Sequence, residues 1–257
     1  RRGPGCSVVP FRPPPPARKT PPPRNAHVAG RGIALAANSG EPHSPGGAPW
    51  PLGTGRDPRS ATPAPGQSSG LKVALFATCP VEYNDPAVGR ATVRVLEHNG
   101  VEVSLPEQRC CGMPYLDGGA MDEARALIRD NVRTLAAAVR EGREIVVPGP
   151  TCSYMLKQEY PWLDGSPDAR LVAGSTRDLF EYLARLQTEG RLATDFKRPI
   201  GPITYHVPCH LRAQNIGLKS AEVLRTIAGA TVEAVERCSA VDGTWGFKRE
   251  YYALSLK

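Results

Sequence analysis

Five short apolar runs, mostly β-branched, lie at Lys72 to Ala77, Val101 to Leu105, Glu144 to Val147, Ile203 to Val207 and Thr231 to Val235. Bounded by turn residues, such runs read as buried strands. Helical patterns lie between them. Asp85 is placed to cap a helix with Pro86 at its first position, running to about Asn99 before Gly100. Ala124, Leu127, Ile128, Val132, Leu135 and Val139 recur at three- and four-residue steps, with Gly142 where a C-terminal glycine is wanted. Ser175 is expected to cap a third helix carrying Leu179, Tyr182, Leu183 and Leu186, and Ala221 to Ala228 to form a fourth. Strands alternating with helices predict an α/β fold, a mostly parallel sheet with flanking helices.

Composition separates this part from what precedes it. Residues 1–70 hold 16 of the 27 prolines, 11 of the 26 glycines, 9 basic and 2 acidic side chains, which predicts a disordered, polyproline-like tail unable to bury a core. Of 32 basic and 25 acidic residues, 23 of each remain beyond residue 70, so the net charge of +7 belongs to the tail. A nucleic-acid partner inferred from basicity alone is thereby excluded for the folded part. No stretch approaches 18 consecutive apolar residues, so no direct membrane span is expected.

Cys79, Cys110, Cys111, Cys152, Cys209 and Cys238 each fall shortly after a predicted strand. In a parallel sheet all carboxyl ends lie on one edge, so the loops bearing Cys79, Cys110–Cys111 and Cys152 can converge although dozens of residues separate them. Four thiolates suit an iron–sulfur cluster or a zinc ion. Buried free thiols, disulfides, and a catalytic Cys209 paired with His206 or His210 are the competing readings. Adjacent Cys110 and Cys111 are poorly placed to bridge each other, and six cysteines after five strands exceed what chance burial accounts for.

The pattern also repeats. "ALFATCP" followed by "EQRCCGMPY" is echoed by "TYHVPCH" followed by "VERCSAVDGTWG". Two related lobes are expected, over 71–190 and 191–257; the second stops at Lys257 before an equivalent third strand and so reads as truncated.

With "CCGMPYLDGG", "TCSYMLKQEYP" and "YHVPCHLRAQNIG", the chain resembles the cysteine-rich CCG-domain family. That family is found in the B subunit of heterodisulfide reductase, in the iron–sulfur subunits of glycolate and lactate oxidation, and in the C subunit of anaerobic glycerol-3-phosphate dehydrogenase, the nearest in pattern. The resemblance implies an electron-transfer subunit with clusters of the 4Fe-4S type, cubane or non-cubane, held by Cys79, Cys110, Cys111, Cys152, Cys209 and Cys238. It implies a flavin dehydrogenase partner oxidising glycerol 3-phosphate and a membrane-anchored or quinone-reactive partner. The location implied is cytoplasmic, peripheral at the inner face of the membrane. A structural zinc–thiolate scaffold and an inactive fragment are the rival readings. Three departures matter: residues 1–70 carry only Cys6, Ser239 follows Cys238 where the family has a second cysteine, and Met155 stands where some relatives have another. Only Cys79, Cys110, Cys111 and Cys152 form a full ligand set within this chain. Gly112, Gly243 and Gly246 are expected to bring backbone close to sulfur; Trp245 and Phe247 are expected in the core.

Overall fold

The computed structural model describes residues 69–240 and 245–256. The expected tail, apart from its last two residues, lies outside them, as does Gly243.

The first strand, β1 (Lys72–Leu75), leads through a π-helical turn, Pro80–Asn84, into α1 (Pro86–His98). Asp85 caps α1 by accepting the Ala87 N–H, with Pro86 following, as the sequence predicts. β2 (Glu102–Ser104), α2 (Met113–Asp117) and α3 (Met121–Arg140) come next, and Gly142 ends α3 in the left-handed region at φ +81°. After β3 (Glu144–Val147), α4 (Pro150–Tyr154) continues through π-helical residues Met155–Glu159 into α5 (Tyr160–Leu163). Then come α6 (Pro167–Ser175), β4 (Thr176–Asp178) and α7 (Leu179–Thr188).

These four strands form one parallel sheet in the order β2-β1-β3-β4. Alternate residues of β1 and β3 enter opposite cores. Ala74, Phe76, Ile145 and Val147 pack with Ile128, Val132 and Leu135 of α3 and Val172 of α6. Val73, Leu75 and Val146 pack with Val93 and Leu96 of α1 and Leu183 and Leu186 of α7. Helices on both faces explain why the central strands are apolar throughout rather than alternating.

A second parallel sheet pairs β5 (Pro202–His206) with β6 (Thr231–Val235), joined through α8 (Cys209–Ala213) and α9 (Lys219–Leu224). Neither of its strands has a buried residue. An exposed segment, residues 193–200, connects the sheets.

Three expectations are corrected. The third helix starts after Asp178, not Ser175: Asp178 accepts from Phe180 N–H while Glu181 accepts from Asp178 N–H, and this reciprocal cap fixes the start. Ser175 instead ends α6, and β4 lies between them. The fourth helix ends at Leu224, short of Ala228. The β1 and β2 runs are trimmed to Leu75 and Ser104.

Candidate metal centre

Cys79 begins the π turn after β1, Cys110 and Cys111 fill the loop between β2 and α2, and Cys152 sits in the first turn of α4 after β3. All are therefore at the carboxyl edge of one sheet. Cys111 and Cys152 are buried, while Cys79 and Cys110 are partly exposed.

The four thiols influence one another: Cys79 neighbours Cys110, Cys110 neighbours Cys111, and Cys111 neighbours Cys152. Each thiol's ionisation is set largely by its neighbours. The Cys110 thiol is pulled down to about 3, first by the hydrogen bond from Cys111 and then by that from Cys79; burial opposes this and the Gly112 amide adds to it. Cys79 is raised, first by its hydrogen bond to Cys110, then by burial and the charge of Cys110 and Cys152. Cys111 is raised by its hydrogen bonds to Cys110 and Cys152 and by burial. One thiolate is thus solvated by neighbouring thiols, and a metal taking all the sulfurs would release their protons. Among the described residues, no three His, Cys, Asp or Glu side chains gather about one point as a single ion requires.

Two glycines permit this convergence. Gly112 has φ +95°, a conformation L side chains rarely adopt, and its amide faces the Cys110 sulfur as the sequence suggests. Gly149, immediately before α4, lies against Thr78, which precedes Cys79; a Cβ at 149 would stand 2.7 Å from Thr78 Cγ2.

Sequence reasoning missed the clamp on the double-cysteine loop. Asn131, fully buried on α3, accepts the Arg109 N–H at 2.7 Å and donates to the Cys110 carbonyl and the Tyr160 hydroxyl, each at 3.0 Å. The available signal was a polar residue in the Ile128–Val132–Leu135 stripe.

Cys209 starts α8 and Cys238 follows β6, so both also stand at strand ends, and both are exposed. The neighbouring histidines turn to other partners. His206 Nε2 donates to the Arg237 carbonyl at 2.8 Å, tying β5 to the Cys238 loop. His210 stacks on Tyr154 with ring centroids 5.1 Å apart, and its Nδ1 lies 3.0 Å from Thr151 Oγ1. Next to this contact, Gln214 donates to Ser153 at 2.8 Å and accepts from Lys157, which also pairs with Glu181 at 2.7 Å. Ser153 donates in turn to buried Asp178. This polar seam joins α4, which carries Cys152, to α8, which carries Cys209. Trp245 is partly buried and stacks on Tyr251 rather than entering either core.

The cysteine-rich domain CCG matches residues 73–157, which span Cys79, Cys110, Cys111 and Cys152. Over 191 residues the chain is 32% identical to the C subunit of anaerobic glycerol-3-phosphate dehydrogenase from Escherichia coli (strain K12), an alignment covering 72% of this chain and 47% of that protein. It is 32% identical over 185 residues to the B subunit of fumarate reductase (CoM/CoB) from Methanothermobacter marburgensis, covering 70% and 34% respectively. Lactate utilization protein A of Anoxybacillus flavithermus is 34% identical over 190 residues, covering 69% and 76%. The chain thus spans about half the length of the glycerol-3-phosphate dehydrogenase relatives it matches. A parallel sheet with cysteines at successive strand ends, a matching cysteine-rich domain and these relatives lead to one conclusion: the chain belongs to the cysteine-rich CCG-domain family.

Proposed function

We propose that Cys79, Cys110, Cys111 and Cys152 ligate one iron–sulfur cluster of the 4Fe-4S type, and that the chain is an electron-transfer subunit of a multisubunit oxidoreductase. The observation carrying this is the gathering of four thiols at the carboxyl ends of three strands of one parallel sheet. Four thiolates complete the terminal coordination of such a cluster, one sulfur to each iron. When bound, such a cluster takes up and gives back single electrons.

The chain's own residues supply the setting. Gly112 presents its amide to sulfur, which stabilises negative charge there. Asn131 fixes the double-cysteine loop on α3. Burial of Cys111 and Cys152 keeps water from half of the ligand set, while the partly exposed Cys79 and Cys110 leave an edge open to a partner. Substrate chemistry belongs to that partner, a flavin dehydrogenase acting on glycerol 3-phosphate, with electrons passed on to quinone through a membrane-anchored protein. This choice follows the E. coli relative; the fumarate reductase and lactate utilization relatives mark the alternatives. No helix among the described residues is long and apolar enough to cross a membrane, so partners would supply the attachment at the inner membrane face.

The sheet of β5 and β6 is proposed as the opening of a second lobe of the same kind. Its Cys209 and Cys238 supply two thiolates, half of a four-thiolate set, and Ser239 is a harder and less acidic ligand than cysteine. One stable cluster per chain is the expectation.

Anaerobic purification with iron and acid-labile sulfide analysis tests the proposal. About four irons and four sulfides per chain are expected, with substantial loss in Cys110→Ser and Cys111→Ser. Full iron in both variants would place the site elsewhere, and zinc without sulfide would favour the structural scaffold.

A further inference from the structure

The residues on either side of Cys152 in α4 are held by side chains from the second sheet. Gln214, buried at the end of α8, donates to the Pro150 carbonyl at 3.3 Å and to Ser153 Oγ at 2.8 Å, and accepts from Lys157 Nζ at 3.1 Å. The orientation of that amide is forced: an ammonium can only donate and a carbonyl can only accept, so Oε1 faces Lys157 and Nε2 faces Pro150. His210 lies one turn earlier on α8. Its Nδ1 is 3.0 Å from Thr151 Oγ1, and its ring stacks on Tyr154 with centroids 5.1 Å apart. Pro150, Thr151, Ser153 and Tyr154 are thus all contacted from α8, and the residue between them, Cys152, is buried in the core cluster of the first sheet.

Helix α4 has five residues before its π-helical continuation. So short a segment has little helical stability of its own, and tertiary contacts decide where it sits. The cap of α7 supplies Asp178 to Ser153 and Glu181 to Lys157, while Pro150, Thr151 and Tyr154 are reached from α8. The matching cysteine-rich domain ends at residue 157, before α8 begins. We infer that His210 and Gln214 are positioning residues of the first sulfur site, so that a helix of the second sheet fixes where Cys152 stands. This rests on the assignment of Cys152 as a cluster ligand made above. The linkage is reciprocal: a docked α8 favours metal at Cys152, and bound metal favours the docked α8 to the same degree.

The test uses anaerobically prepared full-length protein and reads the release of iron to a ferrous chelator. Gln214→Leu and His210→Phe, the latter keeping a ring to stack on Tyr154, should each load iron and sulfide but release iron roughly three- to tenfold faster than wild type, the scale of one net hydrogen bond. The electron paramagnetic resonance lines of the reduced protein should shift in both, a change that lost stability alone does not produce. Arg212→Ala, exposed on the same helix where Arg212 pairs with Glu236 at 3.4 Å, should change neither readout. Thr151→Val combined with His210→Phe should release iron no faster than His210→Phe alone. The wild type supplies an arm that decides the matter if the variants fold poorly. Chelating its iron should raise amide hydrogen exchange at residues 209–214 several-fold more than at α9, which packs on α7 instead. Wild-type release and unshifted lines in iron-replete Gln214→Leu and His210→Phe, or exchange at α8 that rises no more than at α9, overturn the positioning role and leave the cluster assignment intact. Absence of iron and sulfide from the wild type overturns the cluster assignment, and this inference with it.

Discussion

Gly149 shows how a single missing carbon can decide whether a site assembles. Its hydrogen faces Thr78, so the chain leaving β1 toward Cys79 and the chain entering α4 toward Cys152 run in direct contact. Thr78 is itself buried and short, and its methyl cannot swing away as the end of a long side chain would. Gly149→Ala should therefore destabilise the protein by about 1–3 kcal/mol through overpacking. It should also reduce iron retention by moving Cys152 away from Cys79. Adding Thr78→Ala removes the 2.7 Å contact and leaves the 3.3 Å approach to Cβ, so the double variant should recover much of the loss in chemical denaturation. Additive effects of the two changes would show that the contact does not matter.

At the level of elements, the cap of α7 carries a pH signature. Asp178 is buried, and burial pushes its carboxyl up to about 6 from an ordinary 3.8, against the hydrogen bonds from Phe180 and Ser153 that favour the charge. The folded protein thus holds this proton more tightly than the unfolded chain. Stability from the group is fully present below about pH 4 and is lost as pH rises through about 6. Asp178→Asn keeps an oxygen for the Phe180 amide and removes the charge. Its advantage over wild type in urea unfolding should be near zero at pH 4 and grow toward about 2 kcal/mol at pH 7.5; parallel pH profiles would show that Asp178 is not the responsible group. The same corner shows what could be read from sequence. β1, β3 and β6 were legible because β-branched apolar runs have few other uses, and the convergence of cysteines followed from parallel strands. β4 was not, since Thr176, Arg177 and Asp178 carry no apolar period and owe their pairing to β3. Asn131 was equally hidden, because its partners are backbone groups about 20 residues away and a residue brought near by the fold.

Across the whole molecule, two parallel sheets present cysteines at their carboxyl ends, and the seam of Tyr154, His210, Gln214, Ser153 and Lys157 fastens the helices that follow them. Helix α9 packs on α7 as well, so the second sheet is held to the first at two places. The segment joining them is of another character: residues 193–200 are largely exposed and include Lys197, open to trypsin. Connectivity and cohesion are therefore carried by different parts of the protein. Brief digestion that cuts after Lys197 should yield two fragments on a denaturing gel that elute together under native conditions. Separate elution would mean that the seam is too weak to hold without the tether. A chain cut there would be two polypeptides in the chemist's sense and one molecule in the mechanical sense, with the peptide link serving to bring the halves together and the buried polar contacts serving to keep them so.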